Sequence, residues 1–390
     1  MERIYLIKNP SAWMMDELIA FSYFTKFRVI FIRKPGAFYQ PRIEQLKANG
    51  IDVVFCPFKY QLKVKKLLFS FGFLLKHASH FLSWYSFVVG IKSIWWFLFS
   101  DDRYFNKNVS IHAQFATQPT LLAMLLKRYY KKHIIDYYFT LHAYDIFLDN
   151  RWFVLLVNNA TKCFSISEYN IKYVQKKYAG IEAAKLEIAR LGAFSNPSGY
   201  KIKDTDGVFR LGFISWFVEK KGITYLLQAM QVIAARNKYI QLFIAGDGPL
   251  RKEIETFISD HQLQDSIHYV GKLNNEEKNQ FFADLDALVL PSVTLKNDKD
   301  GIPVVLMEAI SYGLPIISTN ISGIPEICID QFNGLLIPEK NVKALVDAIG
   351  TLYNNKQLME TFSGNAIQLF KRYKIEDNSL MKLKSLNWVS

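Results

Sequence analysis

Between Lys59 and Ser100 the chain has no Asp or Glu. The same stretch has no arginine and matches no nucleic-acid-binding module, which argues against a nucleic-acid partner. Lys76 and Lys92 interrupt it, so no charge-free run within it reaches the roughly 20 residues that span a bilayer, and a transmembrane helix is excluded there. Cysteine is scarce throughout: Cys56, Cys163 and Cys328 are an odd number with no CxxC pair. That excludes a disulfide frame and a thiolate zinc site and points to a reducing compartment. The opening "MERIYLIKNP" lacks a signal-peptide core, so a cytoplasmic location is expected.

Apolar residues are abundant. Half of the 390 residues are hydrophobic and 15% are aromatic, which excludes disorder. The length exceeds one ordinary core, so two domains of similar size are expected. Short apolar runs alternate with helix-like stretches: "RIYLI", "RVIFIR", "DVVFCPF", "VSIHAQF", "YYFTLHA" and "TKCFSIS", then, after the polar join 195–207, "FRLGFIS", "IQLFIAG", "SIHYVG", "ALVLPS" and "PIIST". Near-continuous apolar strands separated by helices predict parallel sheets covered on both faces. Two such series predict two doubly wound Rossmann-like α/β domains, 1–200 and 205–370, with a ligand cleft between them. Residues 371–390 are expected to form a helical segment packing back on the first domain.

Charge divides the halves. Residues 1–200 hold 27 Lys/Arg against 13 Asp/Glu, a net +14, whereas residues 201–390 hold 21 against 22. The acid-free segment 59–100 mixes six lysines with twelve aromatic residues. Lysines beside Trp and Phe suit a membrane surface, where ammonium groups snorkel to anionic headgroups. The other reading is a pair of core helices with lysines at their edges.

"DGIPVVLMEAISYGLPIIST" (300–319) carries the chemistry. Pro303 suits the first turn of a helix over Val304–Tyr312, which Gly313 and Pro315 stop. The loop before it follows the strand "ALVLPS", so a helix N-terminus faces the strand's carboxyl end and makes an anion site. Gly301 admits a ligand close to the backbone. Asp300 before the helix and Glu308 inside it reach different parts of one ligand. Phosphates in the middle with polyols at both ends satisfy both acids, as in a nucleoside diphosphate sugar. Taken singly, Asp300 is also readable as a solvated loop acid and Glu308 as the partner of a lysine.

The stretch resembles the carboxyl-terminal domain of family 4 retaining glycosyltransferases, whose fold is GT-B. Its Glu-x7-Glu signature keeps its spacing here, with Asp300 in place of the first Glu. "AGDGPLR" (245–251, with Gly246), "VLPSV" (289–293), "SGIPEIC" (322–328) and "NGLLIP" (333–338) fit in the same order. "WFVEKKG" (216–222) resembles the loop whose Arg and last Lys clamp the diphosphate; Lys221 is kept, while Ser215 and Trp216 stand at the Gly and Arg positions. The resemblance implies that Asp300 meets the transferred sugar, that Glu308 holds the donor ribose, that Lys221 meets the diphosphate, and that Gly301, Ile302, Pro303, Ser215, Trp216 and Gly246 line the donor site. Trp216 is read as stacking on a base or sugar.

In the first half, "FTLHAYDIF" (139–147) resembles the family's His-Ala/Gly-x-Asp motif, which carries a sugar-contacting role to His142 and a loop-holding role to Asp145. "FSISEYNIKYV" (164–174) also fits, with Ser167 as a helix cap. His112 in "IHAQFATQP" is either structural or an acceptor contact. The family's glycine-rich turn after the first strand is absent; "KNPSAWMMDE" (8–17) replaces it. The resemblance is strongest over 205–350, weaker over 110–195 and faint before 110. It implies a retaining hexosyl transfer from a nucleotide sugar to an acceptor hydroxyl, as in surface-polysaccharide synthesis, without a cofactor, and the basic, aromatic-rich first domain suits a glycan or lipid-linked acceptor at the inner membrane face. Three Asp-x-Asp pairs, Asp204/Asp206, Asp284/Asp286 and Asp298/Asp300, raise a divalent metal as an alternative, the last lying in the donor loop. Lysine and the helix terminus already supply positive charge there, so no metal is expected. The rival reading is a non-catalytic scaffold on the same fold, which Trp216 and Asp300 keep open.

Overall fold

The computed structural model describes residues 1–59, 61–195, 207–296 and 298–390. Most of the polar join, and the Asp204/Asp206 pair with it, lies outside the described residues. The chain divides into two units, one of Met1–Leu191 with Ile375–Ser390, the other of Gly192–Lys374.

In the first unit β1 (Glu2–Ile7), β2 (Arg28–Phe31), β3 (Asp52–Phe55), β4 (Val109–Gln114), β5 (Ile134–Leu141), β6 (Lys162–Ser165) and β7 (Leu186–Ile188) form one parallel sheet in the order β3-β2-β1-β4-β5-β6-β7. Alternate residues of β1 enter different cores, as a period of two requires. Ile4 and Leu6 pack with Ile30 and Ile111, while Tyr5 and Ile7 pack with Val29 and Phe31. The connecting helices are α1 (Ala12–Ser22), α2 (Gln40–Ala48), α3 (Val64–Lys76), α4 (Trp84–Phe99), α5 (Gln118–Tyr129), α6 (Ala143–Phe147), α7 (Phe153–Asn159) and α8 (Glu168–Lys177). Side chains of α4, α5 and α7 fill the first core and those of α1 and α2 the second. The acid-free segment forms α3 and α4. Its Lys66 turns inward, where its Nζ donates to the Ser100 carbonyl at 2.8 Å and meets Asp102 Oδ1 at 2.7 Å.

In the second unit β8 (Phe209–Trp216), β9 (Ile240–Asp247), β10 (Ile267–Gly271), β11 (Ala287–Leu290), β12 (Ile316–Thr319) and β13 (Gly334–Ile337) form a parallel sheet in the order β10-β9-β8-β11-β12-β13. Its helices are α9 (Ile223–Ala234), α10 (Arg251–Asp260), α11 (Asn275–Asp284), α12 (Val304–Ser311), α13 (Val342–Asn354) and α14 (Lys356–Phe370). The next helix, α15 (Ile375–Ser385), belongs to the first unit. There Leu383, Leu386 and Trp388 join the core of Tyr5 and Leu18, and Trp388 Nε1 donates to Ser110 Oγ at 2.9 Å.

The strand readings omit β7 and β13. Both are edge strands, and β7 has only three residues, too few to show a period. In both sheets the strand order reverses beside the unit's first strand, between β1 and β4 and between β8 and β11. Loops leaving the carboxyl ends diverge there and open a crevice, the usual ligand position in such folds.

Candidate functional site

At the second unit's switch point, the loop after β8 carries Lys220 and Lys221, and the loop after β11 carries Ser292, Asp298 and Asp300. Gly222 locks the two together. Its φ is +70°, and a Cβ there would lie 1.8 Å from the Pro291 carbonyl oxygen, so only glycine permits the approach. Val293 N–H then donates to the Lys220 carbonyl at 2.8 Å. The register places Lys221 Nζ 2.9 Å from both oxygens of Asp300, and Ser292 Oγ donates to Asp300 Oδ2 at 2.7 Å. Lys220 Nζ lies 3.0 Å from Asp298 and 3.9 Å from Asp300. Burial pushes the Asp300 carboxyl up, but the Lys221 and Lys220 charges and the Lys221 and Ser292 hydrogen bonds outweigh it and hold the group below the usual carboxylate range. Asp300 is therefore an ionised, buried acid clamped by lysine, not a solvated loop residue.

Gly301, Ile302 and Pro303 lead from that acid into α12. Ile302 and Pro303 are buried, and Pro303 is the N-cap residue with extended backbone. No side chain caps this end, so its first N–H groups are left to a ligand or solvent. Glu308 sits one turn further along and meets Lys278 Nζ of α11 at 2.6 Å, with both side chains about a quarter exposed. Ser215 and Trp216 end β8, and Trp216 is 58% exposed. Gly246 is the next-to-last residue of β9, at φ +128°, where a Cβ would lie 1.9 Å from the Ser215 carbonyl oxygen. Ser215 thus stands beside a residue with no side chain, and Trp216 beside Asp247.

In the first unit His142 follows β5 and caps α6. It is 5% exposed, with the rings of Trp13 and Phe115 at 4.7 and 4.6 Å. Its Nε2 lies 2.8 Å from Gln114 Oε1. The Gln114 amide nitrogen donates to Glu17 at 3.0 Å and to the Tyr5 hydroxyl, and Glu17 in turn accepts from Lys382 Nζ of α15 at 2.6 Å. With its nitrogen committed to Glu17, Gln114 offers His142 an oxygen. Nε2 therefore carries the hydrogen, and Nδ1 keeps the lone pair. Burial, then the Lys382 charge, pull the His142 imidazole well below the usual range, so it is neutral.

Asp145 is fully buried and holds the loop: its Oδ2 accepts from the backbone N–H of His142 and of Ala116, each at 2.9 Å. Ser167 caps α8 by accepting from Asn170 N–H at 3.1 Å. His112 lies inside β4 with no exposure, its Nε2 3.0 Å from Thr140 Oγ1 and its ring against Tyr5. That position encloses the ring between strand and core, as a structural role requires.

The sequence reading missed Lys220, Ser292, Lys278, Gln114, Glu17 and Lys382. Lys220 was visible as the first lysine of "EKK" and Ser292 as the residue after Pro291. Lys382 left no signal, since it meets Glu17 across 365 positions. The two other acid pairs are also placed: Asp286 accepts from Arg210 N–H, Asp284 from Gln280, and Asp298 is tied to Lys220. Among the described residues, no group of three or more His, Cys, Asp or Glu side chains is placed to hold a metal.

The family described as "Glycosyl transferases group 1" matches residues 201–369. Among curated proteins, the chain is 33% identical over 170 residues to the amylovoran biosynthesis glycosyltransferase AmsK of Erwinia amylovora, covering 43% of this chain and 41% of that one. It is 28% identical over 273 residues to the uncharacterized glycosyltransferase MJ1178 of Methanocaldococcus jannaschii, covering 68% and 71%. The match thus spans about two fifths of the length of AmsK. Among solved structures, Anabaena Alr3699/HepE in complex with UDP and glucose superposes with a TM-score of 0.71 at 18% identity over 99% of both chains. A glycosyltransferase from Rickettsia africae superposes at 0.72 and 13%, over 99% of this chain and 98% of that one. At such identities the likeness shows the fold, which is GT-B. The group 1 glycosyl transferase match covers a little over two fifths of the chain and falls on the second unit's side of the polar join.

Proposed function

We propose that the chain is a cytoplasmic retaining glycosyltransferase of the hexosyl type. It moves a sugar from a nucleoside diphosphate sugar to a glycan or lipid-linked acceptor in cell-surface polysaccharide synthesis. One observation carries the reading: Lys221, Asp300, the uncapped end of α12 and Glu308 all belong to the switch point between β8 and β11. The family match of this segment, and relatives named for polysaccharide synthesis, support it.

The diphosphate lies against the α12 amides and Lys221, where dipole and ammonium meet the charge of the leaving group. An ammonium has three N–H donors and Asp300 takes two, so Lys221 reaches phosphate while still steadying the acid. Glu308 leaves Lys278 for the ribose hydroxyls. Trp216 stacks on the base or sugar at the position where the family carries a cation. His142, neutral and held through Nε2 by Gln114, meets a sugar hydroxyl. In the transfer, the bond from the anomeric carbon to the phosphate oxygen breaks and the bond to the acceptor oxygen forms on the same face. The acceptor proton passes to the departing phosphate oxygen. The protein orients and stabilises charge, and no metal is needed.

Nucleotide release from a panel of nucleotide sugars, with and without acceptor, tests this. Glu308→Ala is expected to raise the donor KM about tenfold, the loss of one charged hydrogen bond. His142→Ala is expected to lower kcat about a hundredfold. Excess chelator is expected to leave turnover unchanged. If both variants match the unmodified chain, the site is misassigned.

A further inference from the structure

Helices α3 and α4 present apolar side chains in two directions. Inward, Phe73 of α3 and Val89, Ile94 and Phe97 of α4 enter the first unit's core. Outward, where a surface helix turns polar residues to water, they do not. On α3, Val64, Leu68, Phe71 and Leu75 follow at intervals of four, three and four, each between 61 and 70% exposed. On α4, Trp84, Phe87, Ile91 and Trp95 follow at three, four and four, with Trp84 79% exposed. Each spacing is a single stripe along a helix. The helices pack on one another, so two stripes share one region. Solvated soluble surfaces rarely keep contiguous aromatic and aliphatic area on this scale.

The charged residues that the two helices themselves expose are of one sign: Lys65, Lys76 and Lys92 are exposed, and no acid occurs between Lys59 and Ser100, while Lys63 just ahead of α3 is paired with Asp102. Most protein partners present both signs at the rim of an interface. Tryptophan, phenylalanine and leucine edged by lysine fit a headgroup layer: the rings enter the boundary with the acyl chains, and the ammonium groups stay among the headgroups. Among the described residues no helix is long and apolar enough to cross a membrane, so the contact is lateral.

We propose that the outward stripes of α3 and α4 form a docking face for a lipid bilayer bearing anionic headgroups. The face brings the enzyme to the inner leaflet, where a lipid-linked acceptor is anchored. That use rests on the transferase reading; the docking itself does not.

Flotation of the full chain with phosphatidylcholine vesicles, with and without phosphatidylglycerol, tests it. Binding is expected to the vesicles with phosphatidylglycerol and to fall as salt rises. Phe71→Gln with Trp84→Gln is expected to lower partitioning about tenfold or more. Thermal midpoint and nucleotide release onto a water-soluble acceptor are expected to stay unchanged. Should that variant fold poorly, Lys65→Gln with Lys92→Gln reads the same face through loss of the salt-dependent component. Equal binding to neutral vesicles at all salt concentrations overturns the proposal, as does binding that neither variant changes. A dimer that the Phe71/Trp84 variant dissolves, without vesicle binding, overturns it in favour of a second copy. Flotation uses no donor, so its failure leaves the transferase assignment standing. Loss of nucleotide release with flotation intact indicts that assignment instead.

Discussion

A buried acid without a cation behaves differently from one that has it. Asp300 and Asp145 are both enclosed, yet Lys221 keeps Asp300 ionised, whereas Asp145 has only two backbone N–H groups. Burial pushes the Asp145 carboxyl up to about 7 against the pull of the His142 and Ala116 amides. The native state therefore holds a proton that the unfolded chain releases near an ordinary carboxylate pKa of about 4. Its contribution to stability is fully present below about pH 4 and is lost as pH rises through about 7. Asp145→Asn retains an oxygen for both N–H groups and buries no charge. Thermal melts between pH 5 and 8 are expected to fall in midpoint for the unmodified chain and to stay flatter for Asp145→Asn. Parallel curves refute the assignment. The "HAYD" pattern marked Asp145 as a loop holder, but its titration depends on how completely strands β4 and β5 and their loops close over it.

At the scale of elements, the donor-side geometry depends on one turn. The loop between β8 and α9 must pass within contact of the loop after β11 for Lys220 and Lys221 to meet Asp298 and Asp300, and Gly222 allows this. Gly222→Ala brings a left-handed strain and a clash with the Pro291 carbonyl, so it is expected to cost about 2 kcal/mol in chemical denaturation. It is also expected to weaken nucleotide binding, read by the thermal shift on adding UDP. A variant as stable and as responsive as the parent removes Gly222 from this role. Glycine after "EKK" was legible as a turn. Its opposite number, Pro291, was not, because the approach joins segments about 70 residues apart whose meeting is set by the adjacency of β8 and β11.

At the scale of the whole chain, the first unit is completed by residues from beyond the second unit. Ile375–Ser390 supplies Leu383, Leu386 and Trp388 to the core built by α1 and the sheet, and Lys382 to Glu17, the acid next in line to Gln114 and His142. A chain ending at Lys374 loses that apolar cover and leaves Glu17 buried without its cation. Removing a partner from a buried pair costs about 3–5 kcal/mol, and truncating a buried tryptophan about as much again. Such a truncation is expected to abolish cooperative melting of the first unit, seen as loss of one calorimetric transition while that of the second unit remains. Two unchanged transitions defeat the expectation.

Periodicity and stop signals were enough to read most strands, the parallel sheets and the helix over Val304–Tyr312, which ends one residue earlier in the structure, because these follow from spacing along a few adjacent residues. Short edge strands such as β7 escaped for want of length. The partners of the acids were outside the reach of local spacing: Lys221 with Asp300, Lys278 with Glu308, and Lys382 with Glu17 each join elements far apart in the chain. Strand order brings them together, and strand order is settled by packing of whole layers, a free energy that no local window of residues contains. The enclosure of His112 has the same origin, since a strand residue becomes core or surface according to what covers its face.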